Sequence, residues 1–448
     1  MTPTPVGSAV SPVRPTVYRV LPARRVQGTL TVPGDKSISH RALMLAGIAE
    51  GRTVIDGFLE SEDCLATLAA MRALGVGVER PGSQSVAVHG VGLHGLAASA
   101  TALDLRNSGT AMRLFTGLLA GQPFDSELIG DASLMRRPME RVAVPLRLMG
   151  AGIETSSGRP PVRIRGGARL HAIRYELPVA SAQVKSALML AGLYAQGITT
   201  IIEPAVTRDH SERMLQSFGA TLRVKDRSIE IEPPALLRAC RLEVPGDFSS
   251  AAFFIVAGCL AAEGVLTLRN VGINPSRTGL LEALRLMGAE IRVVNPRAAG
   301  TEPVADLEIE RRELRGIDVP PALVPLAIDE FPALFVAAAC ARGKTLVTGA
   351  EELRVKESDR IATMAKGLQA VGIRTEVHDD GLLVFGGSIG GGRVDSCGDH
   401  RIAMAFAIAS VRAQAPIEIA DVANVATSFP GFVETAARAG LEIQVLKQ

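Results

Sequence analysis

Two alternating helix-and-strand patterns recur six times along the 448 residues, at intervals of about 70 residues, and few architectures accommodate such a period. One pattern is an amphipathic helix that ends in glycine and leads into a short apolar strand. It closes at Gly75, Gly150, Gly219, Gly288, Gly372 and Gly440. Glycine just past a helix takes the left-handed cap conformation that a Cβ disfavours. The other pattern is an Ala/Leu-rich helix, a polar break and a strand, as in LMLAGIAEGRTVIDG and AFAIASVRAQAPIEIAD. Helices apolar nearly all round are predicted to be buried, and the glycine-capped ones half-exposed. Six strand–helix–strand–helix units make this an α/β protein.

The residues opening the buried helices are Ser37, Ser108, Ser181, Ser249, Glu330 and His400, spaced 71, 73, 68, 81 and 70 apart. Only 48 residues follow His400, too few for a full unit, so the segment from Tyr18 to Val32 is expected to fold back and complete the sixth. The near-duplicates TVPGDKS and EVPGDFS stand 212 residues apart and are expected to be two crossings of the chain between two domains. One domain would hold residues 1–33 with 247–448, the other 34–246, three units in each. A solenoid is the alternative, because period alone does not dictate closure.

Composition then excludes whole classes. Hydrophobic residues at 47% with 21% charged describe a globular chain with ample core. A net charge of +2, no Trp and 3 Tyr disfavour a nucleic-acid binder. The longest apolar run, Ala251 to Ala262, is too short for a bilayer span of about 20 residues. The start, MTPTPVGSAVSPVRP, lacks the apolar stretch of a signal peptide, so a mobile arm on a cytoplasmic protein is expected. Cys64, Cys240, Cys259, Cys340 and Cys397 form no CxxC pair and are expected as buried free thiols. His40, His210 and His400 lack metal-ligand spacing and are expected in hydrogen-bonding roles, with no metal.

Each helix start offers unpaired N–H groups and the positive end of a dipole, which favours an anion. Several starts also carry basic or polar residues: Lys36 and Arg41, Arg113, Gln183 and Lys185, Arg401. MRRPMER (Arg136, Arg137), TRDHSER (Arg208) and RVKESDR (Lys356, Arg360) add more. If the starts of both domains face one cleft, it suits a small, multiply anionic substrate, above all one bearing phosphate.

The strings PGDKSISHRALM, NSGTAMRL, GDASLMRRPM, SAQVKSALMLAGL, TRDHSERML, DEFP, RVKESDRI, GDHRIAMAFA and TSFPGF run in this order from Val32 to Phe432. In them the chain resembles the 5-enolpyruvylshikimate-3-phosphate (EPSP) synthases. The related UDP-N-acetylglucosamine enolpyruvyl transferases lack DKSISHR and are a poorer match. The resemblance implies a two-domain fold of six βαβαββ units, with the active site in the interdomain cleft. It implies transfer of the enolpyruvyl group of phosphoenolpyruvate to the 5-hydroxyl of shikimate 3-phosphate, releasing phosphate, on the route to chorismate and the aromatic amino acids. A monomer without cofactor, nucleic-acid partner or membrane is implied too.

Carried over motif by motif, Asp329 would accept the hydroxyl proton, Glu357 would serve the C3 methylene, and Lys36 would reach both substrates and share the proton transfers. Arg137, Gln183, Arg360 and Arg401 would clamp phosphoenolpyruvate, with Asn107, Gly109 and Thr110 lining its pocket. Lys36, Ser37, Arg41, Ser181, Ala182, Gln183, Arg208, Asp329 and Lys356 would hold shikimate 3-phosphate. The chain departs from the family in two places. Arg106 stands where many members have Gly. Ala426, Thr427 and Ser428 precede the FP pair where one branch has a phosphate-binding Lys. The wording is closer to the branch containing glyphosate-tolerant enzymes, while Gly109, Ala in some of those, leaves room for the inhibitor. A non-catalytic phosphate-binding scaffold would explain the arginines, but gives no reason for Asp329 and Glu357 among them.

Overall fold

In the computed structural model, which describes residues 16–447, the six units form six small sheets; five have four strands and share one strand order. The third unit shows the pattern. Arg174–Glu176 runs parallel to Thr199–Ile202, which pairs antiparallel with Ser228–Ile231, and Leu222–Lys225 closes the edge. In the fifth unit the leading strand is reduced to single bridges at Arg315 and Asp318. The proline-rich arm, residues 1–15, lies outside the described residues.

All six glycines that end the outer helices have positive φ, between 87° and 102°. The inner helices are Lys36–Gly47, Gly109–Leu119, Ala182–Gly192, Phe248–Leu260, Phe331–Ala339 and His400–Ala409. Ser108 and Ser181 cap theirs as side-chain acceptors. Elsewhere the cap shifts from the expected residue. Asp35, Asp247 and Asp399 accept the first free N–H groups, because a carboxylate just before the helix reaches them better than the Ser or His inside it. Glu330 opens its helix without a capping bond.

The amino-terminal segment serves two sheets. Thr16–Val20 inserts antiparallel between Ile417–Ala420 and Ile443–Lys447, completing the sixth unit. Gly28–Thr31 instead runs parallel to Val265–Gly272 in the fourth. In the same way Arg241–Glu243 pairs with the first unit's Glu50–Asp56. Each strand therefore belongs to one half of the molecule, while the helix after it enters the other. The two crossings pair at Gly34 and Gly246, with Asp35 N–H donating to Pro245 and Asp247 N–H to Pro33. A Cβ on Gly34 would run into the carbonyl of Gly57.

Two hydrophobic cores result. One gathers Tyr18 to Val32 with Phe248 to Leu441, the other Ile38 to Val244. No helix among the described residues is long and apolar enough to cross a membrane. The cysteines are less uniform than expected. Cys64 and Cys259 are buried, Cys240 and Cys340 half-buried, and Cys397 is exposed at a turn with φ +51°.

Candidate active site

The starts of all six inner helices meet in one cleft, which Lys36, Thr110, Gln183, Ser249, Asp329 and Arg401 line from six different units. Its lining carries nine lysines and arginines against four carboxylates. The inner chamber has only about 90 Å³ free, because these side chains pair with one another across it. An outer chamber of about 410 Å³ adjoins it, sharing Ser181, Gln183, Arg208, Asp329 and Lys356 and adding Ala182 and a wall of Pro178, Pro321 and Ile328.

Asp329 is the centre of the cleft's electrostatics. It pairs with Arg208 from the facing core and lies 3.3 Å from Arg360 and 3.8 Å from Lys356. Arg401 also donates to its backbone carbonyl at 3.1 Å. Burial would raise this carboxyl, but Arg208, Lys356, Arg401 and Arg360 outweigh it and hold the group well below the usual range. Glu357 lies 2.6 Å from Arg360 and 3.2 Å from Arg137. Burial works against its charge too, and Arg137, then Arg360, overcome it. Both carboxylates are therefore ionised.

Behind these groups the expected residues fall into place by hydrogen bonding. Arg137 donates to Asn107 Oδ1 at 2.7 Å. Gln183 accepts from Arg113 at 2.7 Å and donates to Thr110 at 2.9 Å. Gly109 sits where a Cβ would be 2.8 Å from Arg113 Nη1 and 2.9 Å from Arg137 Nη1. Lys36 Nζ reaches Asp63 at 2.5 Å and the Ser428 hydroxyl at 2.7 Å. Ser428 thus occupies the neighbourhood where one branch of the resembled family has lysine.

Three of the expected cations are not in the lining, and of these Arg136 is exposed. Arg41 lies beneath the floor, donating to the Ser37 carbonyl and to the hydroxyls of Ser186 and Ser211. Lys185 is buried away from the cleft among Glu203, Glu212 and the Thr207 carbonyl. Arg106 points to solvent; its φ of +52° accounts for the glycine usual there.

The structure also adds residues. Asp63 opens an ordinary capped helix and carries no signal in the sequence. Arg277 binds both crossing aspartates, Asp35 at 2.9 Å and Asp247 at 3.4 Å, and only their duplication hinted at a shared partner. Arg141 and Glu352 pair at 2.5 Å across the cleft. His400, expected in a hydrogen-bonding role, lines the cleft, its imidazole held well below the ordinary pKa by burial and then by Arg401. His40 bridges Thr67 and Ser108, and His210 contacts Glu302 and Arg277. Among the described residues no group of three His, Cys, Asp or Glu is placed to hold a metal.

Comparison with known proteins bears on this site. The family model for EPSP synthase (3-phosphoshikimate 1-carboxyvinyltransferase) matches residues 20–436. The 3-phosphoshikimate 1-carboxyvinyltransferase of Methylococcus capsulatus is 59% identical over 430 residues, 96% of this chain and 98% of that protein. That of Alkalilimnicola ehrlichii is 60% identical over 428 residues, 95% and 96% of the two chains. Among solved structures, an EPSP synthase from Acinetobacter baumannii superposes with a TM-score of 0.86 at 52% identity, covering 96% of this chain and all of that one. The enolpyruvyl transferase NikO from Streptomyces tendae shares the fold, with a TM-score of 0.78 at 18% identity over 97% of this chain and all of its own.

Proposed function

The chain belongs to the EPSP synthase family and is a 3-phosphoshikimate 1-carboxyvinyltransferase; from that premise we propose which residues of the cleft perform the transfer. The observation that carries the assignment is the placement of two ionised carboxylates, Asp329 and Glu357, at the centre of a cleft where cations outnumber carboxylates nine to four. A cleft built only to bind anions gains nothing from them.

Shikimate 3-phosphate occupies the outer chamber, its phosphate and carboxylate on Ser181, Ala182, Arg208 and Lys356, with Ser37 and Gln183 at the ring. Arg41 contributes by holding the Ser37 carbonyl. Phosphoenolpyruvate takes the inner chamber between Arg137, Arg360 and Arg401, whose guanidinium forks match carboxylate and phosphate. Each substrate thereby draws off cations that now hold a carboxylate low. With Arg208 and Lys356 engaged, Asp329 becomes basic enough to take the 5-hydroxyl proton as that oxygen attacks C2. With Arg137 and Arg360 engaged, Glu357 rises, takes up a proton from water and delivers it to C3. The ketal phosphate then loses phosphate, its C2–O bond breaking as Glu357 takes a C3 proton back to restore the double bond. Lys36, poised between Asp63 and Ser428, steadies the departing charge.

We further assign residues 1–33 with 247–448 to one domain and 34–246 to the other, which the membership of the two cores supports. The cleft is complete within one chain, so a monomer suffices.

In a coupled assay, phosphate is expected only when both substrates are present; binding of shikimate 3-phosphate with no phosphate release under any condition would leave a scaffold. Gly109→Ala is expected to fold, because the atoms its Cβ would crowd are the flexible ends of Arg113 and Arg137. Displacing Arg137 should raise KM for phosphoenolpyruvate about tenfold and leave that for shikimate 3-phosphate within about twofold. Equal changes in both constants would remove Arg137 from the inner chamber.

A further inference from the structure

Lys185 was grouped by sequence with the cleft cations, yet its ammonium is 1% exposed and faces away from the cleft. It lies 3.0 Å from Glu203, 2.7 Å from Glu212 and 3.4 Å from the carbonyl of Thr207. These partners are not scattered. Glu203 follows the strand Thr199–Ile202, Thr207 is in the loop after it, and Glu212 is in the helix His210–Ser217. Between them runs the connection that carries Arg208, the residue facing Asp329 across the cleft. Within residues 203–207 only Glu203 and Thr207 are buried, and they are joined by the Thr207 hydroxyl. Past Arg208, Asp209 is held from the other core by Asn274 at 2.6 Å.

We propose that Lys185 is a positioning residue for shikimate 3-phosphate: by gripping both ends of the 203–212 connection and the carbonyl just before Arg208, it sets where that guanidinium stands. The proposal rests on the reading that Arg208 holds this substrate. Two buried carboxylates held by one ammonium, with the buried Arg41 acting on Glu212 from the other side, are a costly arrangement to keep for stability alone, since neutral replacement of a buried ion cluster often leaves a fold as stable. A buried carboxylate oxygen of Glu212 even lacks a partner. The cluster is explained by the geometry it imposes on the loop.

Because Lys185→Met alone strands two buried charges and can simply unfold, the deciding protein is Lys185→Met/Glu203→Gln/Glu212→Gln, whose cluster is neutral. It is expected to melt cooperatively near the wild-type temperature. Its KM for shikimate 3-phosphate should rise about tenfold, with kcat and KM for phosphoenolpyruvate within about threefold. Arg208→Met should show at least the same rise, and adding the triple substitution to it should produce no further change. A folded triple variant with unchanged KM, beside a damaged Arg208→Met, overturns the role of Lys185 and leaves the substrate assignment standing. Multiplying effects in the combined protein overturn it as well. An Arg208→Met enzyme with unchanged KM removes the assignment of Arg208 and the proposal with it.

Discussion

Asp329→Ala lowers kcat by about three orders of magnitude without weakening the binding of shikimate 3-phosphate. The size follows from the loss of a general base at an unactivated hydroxyl, worth roughly 10²–10⁴ in rate. The sign of the binding effect follows from the ion pairs that Asp329 makes. Arg208, Lys356 and Arg360 now spend their charge on this carboxylate, and removing it frees them for the substrate's own anionic groups. Steady-state kinetics with isothermal titration separates the two quantities. Turnover within about tenfold of wild type would strip Asp329 of the base role. A parallel loss of affinity would show that it holds substrate. Because Asp329 and Glu357 are both held below the usual carboxylate range, neither should contribute an inflection to kcat/KM within that range as pH falls, and any loss there should follow the substrate phosphates.

A chain that starts at residue 34 fails to form the half of the molecule built on residues 248–441. It loses the strand Thr16–Val20, which lies between two others, so both Ile417–Ala420 and Ile443–Lys447 become unpaired edges. It also loses Gly28–Thr31 from the fourth unit's sheet. Val17, Tyr18, Val20, Val26, Leu30 and Val32 are all buried. At about 1.5–3 kcal/mol for each large apolar side chain, their removal costs on the order of 10 kcal/mol, comparable to the whole stability of a domain. Calorimetry is the measurement, and the truncated chain should show one cooperative transition, from the 34–246 half alone. Two intact transitions at wild-type temperatures would refute the closure.

Much of the fold was legible because it is locally encoded. A glycine after an amphipathic helix and an apolar helix after a polar cap are patterns within a dozen residues, repeated six times. The destination of the two leading strands was less legible. Gly28–Thr31 and Arg241–Glu243 are each followed by a helix of the other half, and nothing local in a strand records which sheet it joins.

Within the site, helical rotation explains the misplaced cations. Gln183 and Lys185 stand two positions apart, so they point about 200° away from each other, and only one can face the cleft. Arg41 follows Ser37 by four positions, which puts it one turn below on the same face, under the residue it supports. Arg106 shows the converse. Its side chain is exposed beside Asp104, and only the positive φ shows why glycine is usual there.

The sequence by itself determined the repeat, the caps, the family and the inventory of cations and carboxylates, since each is a property of short segments or their order. Even the near-neutral total of +2 conceals nothing once the cleft is seen, where nine cations face four carboxylates. What only the tertiary structure decided is which charge meets which. Arg208 and Asp329 are 121 residues apart, and Arg137 and Glu357 are 220. Pairs so distant share no periodicity and no local geometry. They meet because two separately folded cores bring their helix starts to one surface, where opposite charges with little water between them settle against each other.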